Sequence, residues 1–162
     1  MANNRQVDAL AAPGQSERAM DRAVELFEAF LRRRGLHVTQ PRRAVVETVF
    51  ALPTHFEAAE LWAALRGSVS SAATVYRTLE LLEQAGLVRR VSFGEAHAHY
   101  EHTLGREDHG HLVCRDCGKV IEFSDSGLTQ VVARAAARHG FNLSEAVIQG
   151  YGLCRACQAK GL

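Results

Sequence analysis

Two C-x-x-C pairs constrain this chain more than any other feature. Cys114-Arg-Asp-Cys117 and Cys154-Arg-Ala-Cys157 have 36 residues between their inner cysteines, and the chain has no further cysteine. Each pair can place two thiolates on one tetrahedral ion, and the two pairs together complete an all-thiolate Zn2+ site. Four sulfurs at short range cannot all be charged without the metal. Three other readings fit less well. A thioredoxin-like pair belongs at a helix start within a βαβ unit, whereas these pairs sit at a strand turn and near the chain end. A zinc deaminase needs H-x-E followed by P-C-x-x-C; His55-Phe-Glu57 offers the first, but Val113 stands where the proline would be. Disulfides across the pairs would mark an oxidised state.

The remaining composition sets a frame. The chain has 162 residues, 47% hydrophobic and 23% charged, with a formal net charge of +1. That suits one domain or two small ones, and two small ones each gain from a structural metal or a dimer contact. No apolar run approaches the roughly 20 residues of a membrane helix, and MANNRQVDALAAPGQ lacks the apolar core of a secretion signal. The expectation is a cytoplasmic protein with no membrane partner. The charge is uneven: from Phe30 to Val45 there are five arginines, Arg32, Arg33, Arg34, Arg42 and Arg43, and no acid. Such a run is a solvated helix face or a nucleic-acid contact.

Residues 1–15 read as a mobile arm. From Ser16 the pattern is helical, with Met20, Val24, Phe27 and Leu31 at spacings of three and four and a stop at Gly35. Thr39-Gln-Pro41 supplies a capping hydroxyl and a first-turn proline for a second helix carrying Val45, Val46, Val49 and Phe50. A third runs from about Glu57 to Arg66. A fourth, capped by Ser70 or Ser71, turns Val75, Leu79 and Leu82 inward and ends at Gly86. Strands are expected at 87–93 and 98–102, around Gly94-Glu95. Setting the first helix aside, three short helices and a hairpin have the order of a winged helix. The fourth helix is then the recognition helix, with Ser71, Ala72, Thr74, Tyr76, Arg77 and Thr78 as its exposed positions and double-stranded DNA as its partner. A plain helical bundle with a hairpin is the competing reading. Leu104-Gly-Arg-Glu-Asp108 looks like a hinge. Beyond it come a hairpin at 111–123, a helix at about 126–139 and a strand at about 142–151. The division is therefore an arm at 1–15, a DNA-binding domain at 16–102, a hinge at 103–108 and a second domain at 109–162, in the α+β class.

A zinc ion caged by four cysteines has no room for the nearby histidines. On a strand His109 and His111 share a face, Cys114 has the other parity, and Glu122 lies on the paired strand. Two imidazoles and a carboxylate form an incomplete shell for a borderline divalent ion. Glu101 on the wing and His55 ahead of the third helix are further candidates, and His97 and His99 share the parity of Glu101. Any one of these histidines, taken alone, also reads as an ordinary surface residue.

"DHGHLVCRDCGKVIEF" resembles the central signature of the Fur family, the ferric uptake regulator and its relatives. "GLHVTQPRRAVVETV", "ATVYRTLELLEQAGLV" and the closing C-x-x-C extend the resemblance over about residues 17 to 158. It implies a dimeric, metal-activated repressor with an N-terminal winged-helix DNA-binding domain and a small C-terminal α/β dimerisation domain. Position by position, it implies a regulatory metal held by His55, Glu101, His109, His111 and Glu122, and structural zinc on Cys114, Cys117, Cys154 and Cys157. It places Tyr76 and Arg77 in the major groove, with Thr74, Ser71, Arg42 and His37 as further DNA-binding candidates. The sequence also departs from the family. The residues interleaved with the H-x-H pair are Asp108 and Gly110, and Thr129 and Ala146 fall where many relatives complete a further metal site. That site is expected to be absent. His37 replaces a basic residue that reaches the minor groove.

An N/O site suits Fe2+ or Mn2+, with Zn2+ as a surrogate that also binds tightly. Peroxide sensors of the family typically have aspartates where this chain has Glu101 and Glu122. The expected order is therefore an iron-responsive repressor, then a peroxide or manganese sensor, then a zinc or nickel sensor. A metal-dependent hydrolase is remote, because five protein ligands leave little room for a reactive water.

Overall fold

The computed structural model describes residues 15–53, 55–93, 98–104, 109–144 and 146–160. They divide into two compact units, one within Leu10–Arg106 and one within Glu107–Leu162. Gly94-Glu95, His97, the arm to residue 14 and most of the expected hinge lie outside the described residues.

The first unit begins with α1 (Gln15–Arg33) and α2 (Gln40–Ala51). Ala23, Val24, Phe27, Phe30 and Leu31 form the buried stripe of α1. Thr39 caps α2, its Oγ1 accepting from the Arg42 N–H at 3.5 Å, and the proline sits in the first turn. A short strand β1 (His55–Glu57) precedes α3 (Ala58–Ala64). A capping box closes the start of α3, with the Glu57 N–H donating to Glu60 Oε2 at 2.8 Å.

The fourth helix, α4 (Ala72–Gln84), is capped by Ser71, whose Oγ accepts from the Thr74 N–H at 3.3 Å. Val75, Thr78, Leu79 and Leu82 face the core. Thr78 is thus not the exposed groove residue that the sequence suggests. Its hydroxyl donates to the Thr74 carbonyl at 2.7 Å, and that bond lets a polar side chain sit inside. Gly86 ends the helix at φ +70°, while the Leu87 N–H reaches back to the Leu82 carbonyl.

The wing is β2 (Val88–Val91) and β3 (His99–His102). Its sheet has a third strand, in the order β1-β3-β2, all antiparallel. The sequence reading had His55 just ahead of a helix, not on a strand. Because β3 is central, Glu101 stands opposite both His55 and Arg89. One face of this sheet adds Val88, Phe56 and Tyr100 to the helical core. The other face carries His55, Glu57, Arg89, His99 and Glu101.

The second unit is a sheet of β4 (Gly110–Cys114), β5 (Val120–Phe123) and β6 (Ile148–Gly152), with helices α5 (Ser126–Arg138) and α6 (Arg155–Gln158). The strand order is β5-β4-β6, with β4 antiparallel to β5 and parallel to β6. The last strand is shorter than the expected 142–151, because only its end pairs with β4. The Asp125 carboxylate caps α5, accepting from the Gly127 N–H at 2.8 Å.

Leu79 is 1% exposed at the centre of the first unit. Leu79→Ala is expected to cost about 2–5 kcal/mol there. Denaturant unfolding followed by Trp62 fluorescence measures it.

Candidate metal centres and nucleic-acid interface

The cysteine cage is built by two turns. β4 ends at Cys114, whose N–H donates to the Lys119 carbonyl at 2.8 Å, while the Gly118 N–H returns to the Cys114 carbonyl at 2.9 Å. Gly118 takes φ +70°, a value that a glycine adopts without strain. This tight reversal points Cys114 and Cys117 the same way. On the other side, β6 runs parallel to β4 with Gly152 opposite Cys114, and the Arg115 N–H donates to the Gly152 carbonyl at 2.8 Å. The chain then reaches Cys154, which starts the single-turn α6 carrying Cys157.

The four Sγ atoms lie within 4.8 Å of one another. Cys117 and Cys154 are 3.8 Å apart. That is the edge of a tetrahedron with bonds of about 2.3 Å, the Zn–S length, and far beyond a disulfide bond of about 2.0 Å. Backbone N–H groups of Cys117 and Cys154 donate to the Cys114 sulfur, the latter at 3.3 Å, and pull its pKa down to about 6. The Asp116 side chain and burial push the Cys157 thiol the other way. A bound divalent cation would ionise all four. The donor set fits structural zinc.

The second set of metal-ligand types lies on the other half of β4. His111 stands directly opposite Glu122 on β5, the cross-strand pair that the parity argument anticipates. His109 precedes the strand, and its ring lies 5.0 Å from that of His111. His111 is fully buried and His109 is 9% exposed. One ligand atom from each of His109, His111 and Glu122 lies within 4.8 Å of the others. Two imidazoles and a carboxylate at that spacing fit a divalent transition metal. Gly110 lies between the histidines under the Phe123 ring, where an added Cβ would meet ring carbons at 2.4 and 2.6 Å. A side chain there would have to displace that ring. Asp108 lies outside the described residues.

In the first unit the structure brings His55 and Glu101 together. His55 Nε2 lies 2.8 Å from Glu101 Oε2, with Glu101 fully buried. Arg89 Nε donates to the other carboxylate oxygen. The sequence reading missed Arg89, because the register that sets it opposite Glu101 depends on the length of the wing turn. His99 is buried, with its ring 5.3 Å from Phe93 and its Nε2 3.8 Å from Glu57 Oε1. It is not an exposed wing histidine.

The candidate DNA face follows α4. Tyr76 is 47% exposed and Arg77 projects beside it, both opposite the buried stripe. Thr74 is half-buried, and Ser71 spends its hydroxyl on the helix cap, with Thr74 Oγ1 a further 3.1 Å contact. The Arg42 guanidinium donates to the carbonyl of exposed His37, which ties the α1–α2 loop to the start of α2.

The model of the ferric uptake regulator family matches residues 33–151. The chain belongs to this family. Its members are transcription regulators that bind DNA and metals, with an N-terminal DNA-binding and a C-terminal dimerisation domain. The ferric uptake regulation protein of Campylobacter jejuni is 36% identical over 141 residues, covering 85% of this chain and 89% of that protein. The peroxide operon regulator of Bacillus subtilis is 34% identical over 142 residues, covering 85% and 97%. The structure of the ferric uptake regulator from Pseudomonas aeruginosa with manganese superposes with a TM-score of 0.68 at 35% identity, over 79% of this chain and 97% of that one. The winged helix is thus that of a Fur-family regulator, and the two donor sets are groups able to hold a metal ion.

Cys114→Ser removes one corner of the cage. The variant is expected to lose its tightly held zinc and the thermal stability of the second unit, as measured by metal analysis of purified protein and circular dichroism melting.

Proposed function

We propose that this chain is a cytoplasmic, dimeric, Fe2+-responsive repressor of metal-uptake genes and not an enzyme. One observation carries the reading: the His109/His111/Glu122 cluster is separate from a complete four-thiolate cage. The cage satisfies the structural role, so the nitrogen and oxygen donors are left for an ion that comes and goes.

In this reading His55, Glu101, His109, His111 and Glu122 together hold the regulatory ion. His55 and Glu101 belong to residues 16–102, which bind DNA, and the other three to residues 109–162, which dimerise. A ligand set shared by the two domains couples metal supply to the placement of two recognition helices, whose separation must match two half-sites. A switch from 1:99 to 99:1 in the DNA-competent form needs a preference of about 10⁴-fold, or roughly 5.5 kcal/mol. In this reading the five ligands supply that difference. The metal supplies the link; Tyr76, Arg77, Thr74, Ser71, Arg42 and His37 supply the DNA contacts.

Dimerisation has support in the second unit. Leu112 and Ile121 are cross-strand neighbours and both exposed, as are Leu128, Val131, Tyr151 and Leu153. An apolar surface of this kind suits a second copy of the chain. Among the described residues no helix is long and apolar enough to cross a membrane. A peroxide-responsive reading is the second choice, supported by the similarity to the Bacillus regulator, and a manganese response is next. The two glutamates, in place of aspartates, favour iron.

Replacing both His109 and His111 with alanine is expected to abolish metal-dependent operator binding while zinc and fold are retained. Fluorescence anisotropy with labelled DNA reads the binding, and unchanged affinity contradicts the assignment. Arg77→Ala is expected to weaken operator binding by about 1–3 kcal/mol. The check is a titration at several salt concentrations, with specific and unrelated DNA compared.

A further inference from the structure

Among the described residues, the polar face of the wing sheet sets one neighbour against each oxygen of Glu101. Arg89 on β2 takes Oε1 through its Nε, and His55 on β1 meets Oε2 at 2.8 Å. Glu101 is fully buried, and the Arg89 side chain is only 13% exposed. The two neighbours differ in kind. A guanidinium remains charged at any physiological pH and has no alternative acceptor role, so an ionised, buried carboxylate keeps it. An imidazole is itself a metal-ligand type and need not carry a proton. Oε1 is therefore committed, while Oε2 is the oxygen whose partner can change.

We propose that Arg89 is a selectivity residue for the regulatory metal: by holding Oε1 it restricts Glu101 to a single donor oxygen. The inference rests on the reading that His55 and Glu101 are ligands. A carboxylate with both oxygens open can chelate one ion and raise its coordination number, which suits ions such as Mn2+ that favour oxygen-rich, six-coordinate shells. A carboxylate tied back by arginine contributes one bond. Arg89 thereby disfavours Mn2+ relative to ions content with fewer donors. A purely structural arginine would differ in its consequence. Its loss would lower stability and change the affinity of every metal by the same factor.

The test uses the full chain with zinc retained in the cysteine cage. Wild type, Arg89→Met, Arg89→Lys and Arg89→Gln are titrated with Mn2+ and with Co2+, and the visible Co2+ bands report coordination number. Arg89→Met is expected to raise the Mn2+ affinity relative to Co2+ by about 10-fold or more and to weaken the Co2+ bands. Arg89→Lys, which still offers a cation to Oε1, is expected to restore the wild-type ratio and spectrum. If Arg89→Met does not fold, Arg89→Gln carries the same expectation, since a neutral amide holds the carboxylate less firmly. An unchanged ratio and spectrum, or an equal shift for both metals, overturns the proposal. Glu101→Gln separates the two levels. Wild-type metal binding in that variant would remove the ligand reading itself, whereas weakened binding there with an unaltered Arg89→Met removes only the role of Arg89.

Discussion

The thiolate cage fixes strand β4, and the rest of the metal chemistry depends on that strand. Cys114 ends β4, and Cys154 follows β6. Drawing their sulfurs onto one centre holds the parallel pairing of β4 with β6 in register. The same strand carries His111, so the cage also fixes where that imidazole stands. Among the described residues the second unit has a three-stranded sheet and a helix with exposed apolar residues. So small a unit has little core of its own, and four metal–sulfur bonds at the cage would stand in for it.

Parity then separates two kinds of chemistry on five residues of backbone. Cys114 and His111 have opposite parity on β4, so soft sulfur donors and borderline nitrogen donors face different centres. The thiolates suit an ion that stays. The imidazoles and carboxylates suit one that exchanges. The first unit repeats the economy: one face of the wing sheet completes the core, and the other gathers His55, Glu101 and Arg89. Burial makes this second cluster costly to leave unpaired, which is why the carboxylate of Glu101 has a neighbour on each oxygen.

Much of this was legible in the residues. The C-x-x-C pairs were legible because ligand type and spacing are local properties. The His111–Glu122 pair was legible because a four-residue turn fixes the register of a hairpin, and register fixes what stands opposite. Three features were not. Strand β1 is only His55–Glu57, too short for an alternating pattern, and it runs directly into a helix cap. Arg89 depended on the register of a wing whose turn length the sequence does not set. Thr78 is polar and its type suggests exposure, although it stands three residues after Val75 and four before Leu82; its bond to the Thr74 carbonyl is what permits the burial. In each case a long-range pairing or a local hydrogen bond overrode the pattern.

The proposed function requires two metals with two jobs, one permanent and one exchangeable. The most direct test is operator binding followed alongside metal content during stepwise chelation. Mild chelator should remove the nitrogen- and oxygen-held metal first and abolish DNA binding while zinc stays in the cage, and Fe2+ or Mn2+ should restore it. Operator binding that persists in protein retaining only the caged zinc would contradict the account.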